Sequence, residues 1–237
     1  MKPNNKTIIY FLVKTFTETC HAKAFLDGTL FMNSLSYFAT LDEPTKAIRS
    51  DRHEGTVAWF QPEQIQLKIN DIQIPGTDLA APLSIKLHHH FNKNIFCMHA
   101  SYIGGAAPYE FPTTSAFEEQ LKIPEDNIKF GMQSVIITNP EIFLNKVKQA
   151  VIENKFGMQA RLVDYYDPAT FHGHFKDDEA VFKKHLSFAY QREYRIAVDS
   201  NNNSHSPLVL EIGNIRDIAK IIPIATINSS IKIEACV

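Results

Sequence analysis

The rhythm of apolar segments along the chain is the feature that most constrains its fold. Short β-rich apolar runs recur over most of the 237 residues, and a few helical patterns are interspersed among them without a regular alternation. Regular alternation of strand and helix is typical of parallel sheets, whereas this mixture predicts an α+β protein with a mixed or antiparallel sheet and a few flanking helices. No linker or break in composition divides the chain, so we predict a single domain over residues 1–237.

The clearest local signals mark the first strand and two helices. Residues 8–13 are apolar at consecutive positions, which predicts a strand buried on both faces. Thr17 is a candidate cap for the short helix that follows, and Gly28 can end that helix in the left-handed conformation. Asn139 before Pro140 predicts the start of a second helix, because the amide can cap it and proline suits its first turn.

Three later assignments depend on weaker patterns. Residues 39–56 are polar and interrupted by Pro44, which predicts a long loop of the kind that is usually functional or mobile. Asp177 or Asp178 is a candidate cap for a helix that continues to Leu186. Strands are predicted over residues 191–198 and 231–235.

Composition and charge exclude several classes of function. The formal net charge of -2 and the pI near 6.5 leave no global basic field, so any nucleic acid would bind a local patch in a salt-sensitive way. No stretch approaches the ~20 apolar residues of a membrane-spanning helix, and the apolar run at the N-terminus is short for a signal peptide. The 3 cysteines are widely spaced, which predicts no disulfide framework and a cytoplasmic location.

The segment QREYRIAV near the end of the chain carries the most suggestive chemistry. Side chains alternate along a strand, so Gln191, Glu193 and Arg195 share one face, and Arg192 and Tyr194 share the other with the apolar residues. We expect the apolar face to pack on the core. The first face is either a solvated surface with a Glu–Arg contact, or a Gln-x-Glu signature whose carboxylate steadies an oxocarbenium-like centre.

The polar loop offers a second candidate site. Arg49, Asp51 and Arg52 lie within seven residues in the motif RSDRHEG. Such a composition suits a solvated surface loop. It also suits a loop that binds phosphate or ribose, in which Arg49 or Arg52 forms a bidentate fork and Asp51 orients it.

Histidine and cysteine residues suggest two further alternatives. The consecutive histidines at 88–90 lack the spacing of a zinc motif, so we predict no metal, although a metal-dependent nuclease that uses this region remains an alternative. Cys97 and His99 would share one face of a strand. They could form a nucleophilic pair, but a cysteine within the apolar run IFCM is more typical of a core.

Several segments together resemble a widespread bacterial family. The chain begins with a strand that ends at Lys14, a short helix, the turn and strand GTLFMN, and then Tyr37 before a polar loop. It has a middle strand, NIFC, and its end carries FKK and YQREYR, which match the family pattern Phe-x-Lys…Tyr-x-x-Glu-x-Arg. This layout is similar to that of DNA-targeting ADP-ribosyltransferase toxins, which place a catalytic glutamate on a late strand.

The resemblance implies a fold, a substrate and roles for individual residues. The fold would be an ADP-ribosyltransferase-like split sheet, and the protein would cleave NAD and transfer ADP-ribose to a nucleic acid or protein, as a toxin or phage-defence effector with a possible neutralising partner. A non-enzymatic binding module of the same fold is the alternative. The implied roles are catalysis for Glu193 with Gln191 orienting the acceptor, ribose or phosphate contact for Lys14, nicotinamide stacking for Tyr37, and diphosphate binding for Arg49 or Arg52 with Asp51.

Overall fold

The computed structural model describes residues 7–40, 51–104, 113–201 and 205–234. Within these residues the protein is α+β with a mostly antiparallel arrangement of strands, as predicted from the sequence. The strands are β1 (Ile8–Phe16), β2 (Thr29–Ser34), β3 (Thr56–Phe60), β4 (Gln66–Ile69), β5 (Ile72–Pro75), β6 (Leu83–Lys86), β7 (Asn94–Ile103), β8 (Gln133–Ile137), β9 (Gly157–Leu162), β10 (Asp164–Tyr166), β11 (Gly173–His174), β12 (Lys183–His185), β13 (Glu193–Asp199), β14 (Leu208–Glu211) and β15 (Ala219–Pro223).

The described residues contain seven α-helices and five 3-10 segments. The α-helices are α1 (Thr19–Asp27), α2 (Leu35–Ala39), α3 (His88–Phe91), α4 (Thr114–Leu121), α5 (Glu125–Ile128), α6 (Pro140–Glu153) and α7 (Ile227–Ser230). Short 3-10 segments occur at Pro62–Gln64, Gly76–Asp78, Asp177–Phe182, Leu186–Gln191 and Ile224–Thr226. In the described part of the chain, no helix is long and apolar enough to cross a membrane.

The main sheet has eight strands in the described residues, and it splits beside β7. Its order is β14-β2-β7-β1-β8-β15, and β13 pairs with β7 and with β9. β1 pairs with residues 99–103 of β7, whereas β2 pairs with residues 94 and 95. Because β13 occupies the opposite edge of β7 over residues 94–99, β1 and β2 must share one edge and diverge along it. Neither strand pairs with residues 96–98, where the sheet opens.

The two faces of the main sheet bury different clusters. Helices α1 and α6 cover one face, where Phe25 and Phe143 pack against the apolar side chains of the central strands. A smaller cluster on the other face joins Leu35 of α2 with Ile95 of β7 and with Phe182. The larger cluster supplies most of the buried apolar surface, which is the main favourable contribution to folding.

Two of the three predicted helix ends in α1 and α6 are confirmed. Gly28 closes α1 with a φ of 109°, and a Cβ at this position would lie 2.3 Å from the carbonyl oxygen of Gly213, so only glycine fits. Asn139 caps α6, because its Oδ1 accepts a hydrogen bond from the backbone N–H of Ile142 at 3.0 Å. The predicted cap at Thr17 is wrong, since α1 begins at Thr19 and no side chain caps it.

The predicted helix from Asp177 to Leu186 is also wrong. Two 3-10 segments occupy this region, and β12 lies between them. β12 forms a parallel pair with β10, a long-range contact that the local cap signal cannot anticipate.

The strand predicted over 191–198 begins two residues later than expected. Gln191 ends a 3-10 segment and Arg192 has a φ of 44°, so the extended backbone starts at Glu193. The strand predicted from residue 231 is absent over the described residues 231–234.

Candidate functional site

A cavity of about 570 Å³ opens where the main sheet splits. The end of β1, the start of β2, helix α2 and the middle of β7 form its walls, and side chains from β12 and β13 form its floor. Lys14 at the end of β1 donates a hydrogen bond to the carbonyl oxygen of Cys97 at 2.8 Å, so its ammonium lies over the strand edge that neither β1 nor β2 covers. The same ammonium lies 4.3 Å from the ring centroid of Phe96, a distance typical of a cation–π contact.

A buried ionic cluster forms the floor of this cavity, centred on the carboxylate of Glu193. Lys184 Nζ donates to Glu193 Oε2 at 3.1 Å and to Gln191 Oε1 at 2.8 Å. Arg195 Nε donates to Glu193 Oε1 at 2.6 Å. Glu193 and Arg195 are 5% and 1% exposed, respectively, so this face of β13 is not a solvated surface. The 3-10 segments on either side of β12 cover it, which is why the wet-face interpretation is wrong.

Electrostatics keep Glu193 ionised despite its burial. Burial alone would raise the pKa of Glu193, but the charges of Arg195 and Lys184 outweigh it and hold this pKa well below its usual range. Burial likewise opposes the charge on Lys184, yet Glu193 and Glu54 keep the pKa of Lys184 above its ordinary value. The cluster is therefore a set of fixed charges at neutral pH, held where water cannot screen them well.

Glu54 supplies a second carboxylate to the cluster. The Arg195 guanidinium contacts Glu54 and also donates to the carbonyl oxygen of Val181 at 2.5 Å. The side chain of Glu54 is buried, and neither carboxylate oxygen has a hydrogen bond of good geometry with any group in the described residues. Burial raises the pKa of Glu54, and the opposing charges of Arg195 and Lys184 reduce this effect. Two carboxylates that share one arginine thus have pKa values shifted in opposite directions.

Cys97 and His99 line the same cavity but are not poised as a nucleophilic pair. Burial, with a smaller contribution from Glu193, raises the pKa of the Cys97 thiol to about 12. Burial lowers the pKa of His99 to about 4, and its Nδ1 lies 3.1 Å from the carbonyl oxygen of Gln191. Because a thiolate is the reactive form of cysteine, this environment favours an inert thiol.

Aromatic side chains surround the opening of the cavity. Tyr37 and Phe38 of α2 form an edge-to-face pair with ring centroids 5.3 Å apart, and both line the cavity. Phe31 of β2 also lines it and is 56% exposed. The exposed rings of Tyr37 and Phe31 offer flat surfaces on which a planar ring can stack.

The structure brings four of the predicted site residues together and separates the others. Lys14, Tyr37, Gln191 and Glu193 all line the cavity. Arg49 lies outside the described residues.

Asp51 and Arg52 are not among the described residues that line this cavity. Arg52 is exposed, and its carbonyl oxygen accepts a hydrogen bond from Lys86. Asp51 is buried and accepts from the backbone N–H groups of His53 at 2.8 Å and His185 at 3.2 Å. It therefore fastens the loop before β3 to the end of β12, next to Lys184.

Sequence reasoning missed three members of the ionic cluster as site residues. Glu54 lies within the predicted loop motif RSDRHEG, two positions after Arg52, and Lys184 lies in the FKK motif. Arg195 was expected only as a neighbour of Glu193. A charged residue that closely follows an apolar run, as Lys184 follows AVF, is a weak signal of burial. Only the packing of β12 beside β13 shows which charges meet.

Comparison of the chain with protein-family models, with curated proteins and with solved structures found no match.

Proposed function

We propose that the protein is an ADP-ribosyltransferase-like effector that cleaves NAD and transfers ADP-ribose to a nucleic acid or a protein. The observation that carries this proposal is the buried, ionised Glu193 at the floor of a cavity that lies in the split of the sheet. A fixed anion beside developing positive charge lowers the barrier to an oxocarbenium-like transition state, because it needs no reorganisation during the reaction. An ADP-ribosyltransferase-like fold is part of the same proposal.

The charge around the cavity favours an anionic ligand. Lys14, Lys184 and Arg195 face only two carboxylates, those of Glu54 and Glu193, among the charged side chains that line the described cavity. This excess of positive charge suits a diphosphate, and the rings of α2 suit a planar base. A dinucleotide that carries both groups is the ligand class that fits both observations.

Each assigned residue has a separate role in the proposed reaction. Lys14 contacts the ribose or a phosphate, and Tyr37 stacks on the nicotinamide. The bond between the ribose C1′ and the nicotinamide nitrogen breaks, and nicotinamide leaves as a neutral base with the bonding electrons. Glu193 stabilises the ribosyl cation while an oxygen or nitrogen atom of the acceptor attacks C1′. Gln191 orients the acceptor.

The proton of the acceptor needs a base, and we assign that role to Glu54. Its carboxylate contacts the Arg195 guanidinium but accepts no hydrogen bond of good geometry among the described residues. Burial raises its pKa, and the charges of Arg195 and Lys184 reduce this effect. A base with a pKa closer to neutrality is better suited to proton transfer than an ordinary carboxylate. Arg49, Asp51 and Arg52 remain predictions for diphosphate binding.

The physiological setting remains part of the proposal. An effector of this kind would act in the cytoplasm as a toxin or in phage defence, where a neutralising partner could restrain it. With a formal net charge of -2, the protein would hold a nucleic-acid acceptor through a local basic patch, and salt would weaken that binding.

The test is nicotinamide release from NAD in the presence of DNA, RNA or a bacterial lysate, with mass spectrometry of each acceptor. We expect Glu193→Gln to lower the release rate by about 100-fold or more, since it removes the charge without changing the size of the side chain. Asp199→Asn is the matched control, because Asp199 is an exposed carboxylate on the same strand. Circular dichroism establishes that both variants fold.

Three outcomes would contradict the proposal. The first is the absence of nicotinamide release with every acceptor class, which would favour the non-enzymatic binding module. The second is a Glu193→Gln variant that folds and remains as active as Asp199→Asn. The third is an unchanged KM for NAD in Lys14→Ala, since loss of the ammonium is expected to raise KM with a smaller effect on kcat.

A further inference from the structure

Two imidazoles and one carboxylate converge at a place that the proposed reaction does not use. His89 and His90 lie in α3, and Asp177 begins the 3-10 segment Asp177–Phe182. His89 Nε2 lies 3.4 Å from Asp177 Oδ2, and His90 Nε2 lies 2.9 Å from Asp177 Oδ1. One possible ligand atom from each of the three residues lies within 4.8 Å of the others.

These distances fit the coordination of a small divalent ion. Zinc binds imidazole nitrogen at about 2.0–2.1 Å and carboxylate oxygen at about 2.0–2.2 Å, so neighbouring ligands in a tetrahedral site lie roughly 3.3 Å apart. The separations to Asp177 lie close to this value, and small rotations of exposed side chains can adjust them. Two imidazoles with one carboxylate form a donor set that zinc and its transition-metal neighbours prefer over magnesium or calcium.

The packing of the two imidazoles also suits a metal. The two rings are only 4.3 Å apart between centroids, so protonation of both would place like charges together. Neutral imidazole is the form that coordinates metal, and an ion would replace the two N–H contacts to one carboxylate.

We propose that His89, His90 and Asp177 form a binding site for a zinc-like transition-metal ion, with a fourth position open to solvent. His89 and Asp177 are exposed, so an ion can reach the site, whereas His90 is 1% exposed and fixes one ligand in place. This proposal is independent of the proposed activity towards NAD.

The ion would act on the cavity through the chain rather than through direct contact. The segment that starts at Asp177 supplies the Val181 carbonyl that accepts from Arg195, and it leads directly into Lys184. None of the three ligands is among the residues that line the described cavity. A metal that joins α3 to this segment would therefore hold the ionic cluster in position without taking part in catalysis.

Titration of the untagged, metal-free full chain with ZnCl2 by isothermal calorimetry tests the site. We expect one ion per chain, a rise in Tm on binding, and affinity weakened at least about tenfold in His89→Ala and in Asp177→Ala. His88→Ala is the matched control, because His88 is an exposed neighbour in α3 whose ring lies against His205 instead. Both test variants replace exposed side chains, and His89→Ala leaves the contact between the buried His90 and Asp177 in place.

The proposal fails if the wild-type chain binds no zinc at a stoichiometric level. It also fails if His88→Ala weakens binding as much as His89→Ala, since that result would indicate nonspecific chelation by the histidine run. Retention of full affinity in Asp177→Ala would show that the carboxylate only accepts hydrogen bonds from the two rings, which is the metal-free explanation of the same geometry.

Discussion

The two faces of strand β13 are both buried, but they are buried in opposite ways. Tyr194, Ile196 and Val198 pack into the large apolar cluster beneath α1 and α6. Glu193 and Arg195 alternate with these residues and therefore point to the opposite face. There they pack into a cluster of charges beneath the 3-10 segments around β12. Adjacent residues of the strand thus pack in two different environments. One is apolar and the other is ionic, and the side chains are buried in both.

This difference matters because the two kinds of burial have different energetics. An apolar side chain gains free energy in proportion to the area it removes from water, and it tolerates exchange for a similar shape. A buried charge is costly unless its partners are in place, so the ionic face depends on a complete set of partners. The cost of placing such a face beside a cavity is the argument for the proposed functional site.

The largest expected effect comes from removing the cation that the ionic face shares. Arg195→Leu leaves Glu54 and Glu193 close together without their common partner, and we expect a loss of about 3–5 kcal/mol in the free energy of unfolding. Urea denaturation measures this value. The matched control is Arg216→Leu, at an exposed ion pair with Asp27 of 2.8 Å, where the same change should cost less than about 1 kcal/mol. Equal losses would mean that burial does not distinguish the two pairs.

A second prediction concerns pH and His99, which is paired with Glu193 in the register of β7 and β13. The folded pKa of His99 is about 4, against 6.5 for the ordinary group. Because the pKa of His99 is lower in the folded state, its contribution to the free energy of unfolding is fully present above pH 6.5 and is lost as pH falls towards 4. We expect a loss of about 3 kcal/mol over this window.

The measurement for His99 is the free energy of unfolding as a function of pH, in the wild type and in His99→Gln. Glutamine cannot titrate in this range, so the variant should have a flatter profile between pH 6.5 and 4. A variant whose profile stays parallel to that of the wild type would assign the pH dependence to other groups.

On the apolar face, the loss in free energy of unfolding should depend only on the side-chain volume removed, and it should be smaller than on the ionic face. Ile196→Val removes one methylene group from a fully buried side chain, and we expect a loss of about 1 kcal/mol. Ile152→Val on the exposed side of α6 is the matched control, with almost no expected change. A cost at Ile196 as large as that of Arg195→Leu would remove the distinction between the two faces.

The smallest effect is a chemical one, at the thiol that touches the ionic face. With a pKa of about 12, Cys97 should resist alkylation by maleimide in the native state, while the exposed Cys20 reacts. Peptide mass spectrometry after brief labelling at pH 7.5 distinguishes the two sites. Rapid labelling of Cys97 would show that the environment of Glu193 is more open and more polar than the structure indicates.

Much of the framework could be predicted because its signals are local. The cap at Asn139 and the left-handed glycine at position 28 act over a few residues, and both are confirmed. The period-two pattern after Glu193 predicted which face of β13 packs on the apolar core. These signals need no knowledge of distant residues, since each depends on hydrogen bonds within one turn or on the alternation of a strand.

The errors have a shared cause in contacts between distant segments. The helix predicted from Asp177 is replaced by β12, which pairs with β10 about twenty residues earlier. Gln191 was assigned to a strand, yet it reaches the cluster from the end of a 3-10 segment through Lys184. A local sequence pattern contains no information about the stabilisation that a strand gains by pairing with a distant segment of the chain.

The sequence by itself determined the class of the fold, the positions of its main strands, and the presence of a polar row opposite the apolar face of β13. Only the tertiary structure decided that this row is buried, because its burial depends on the segments around β12 folding over it. It also brought Glu54 and Lys184, from regions more than a hundred residues apart, to the same carboxylate cluster. The sequence gives the charge of each side chain, whereas tertiary packing determines which partners stabilise that charge when it is buried.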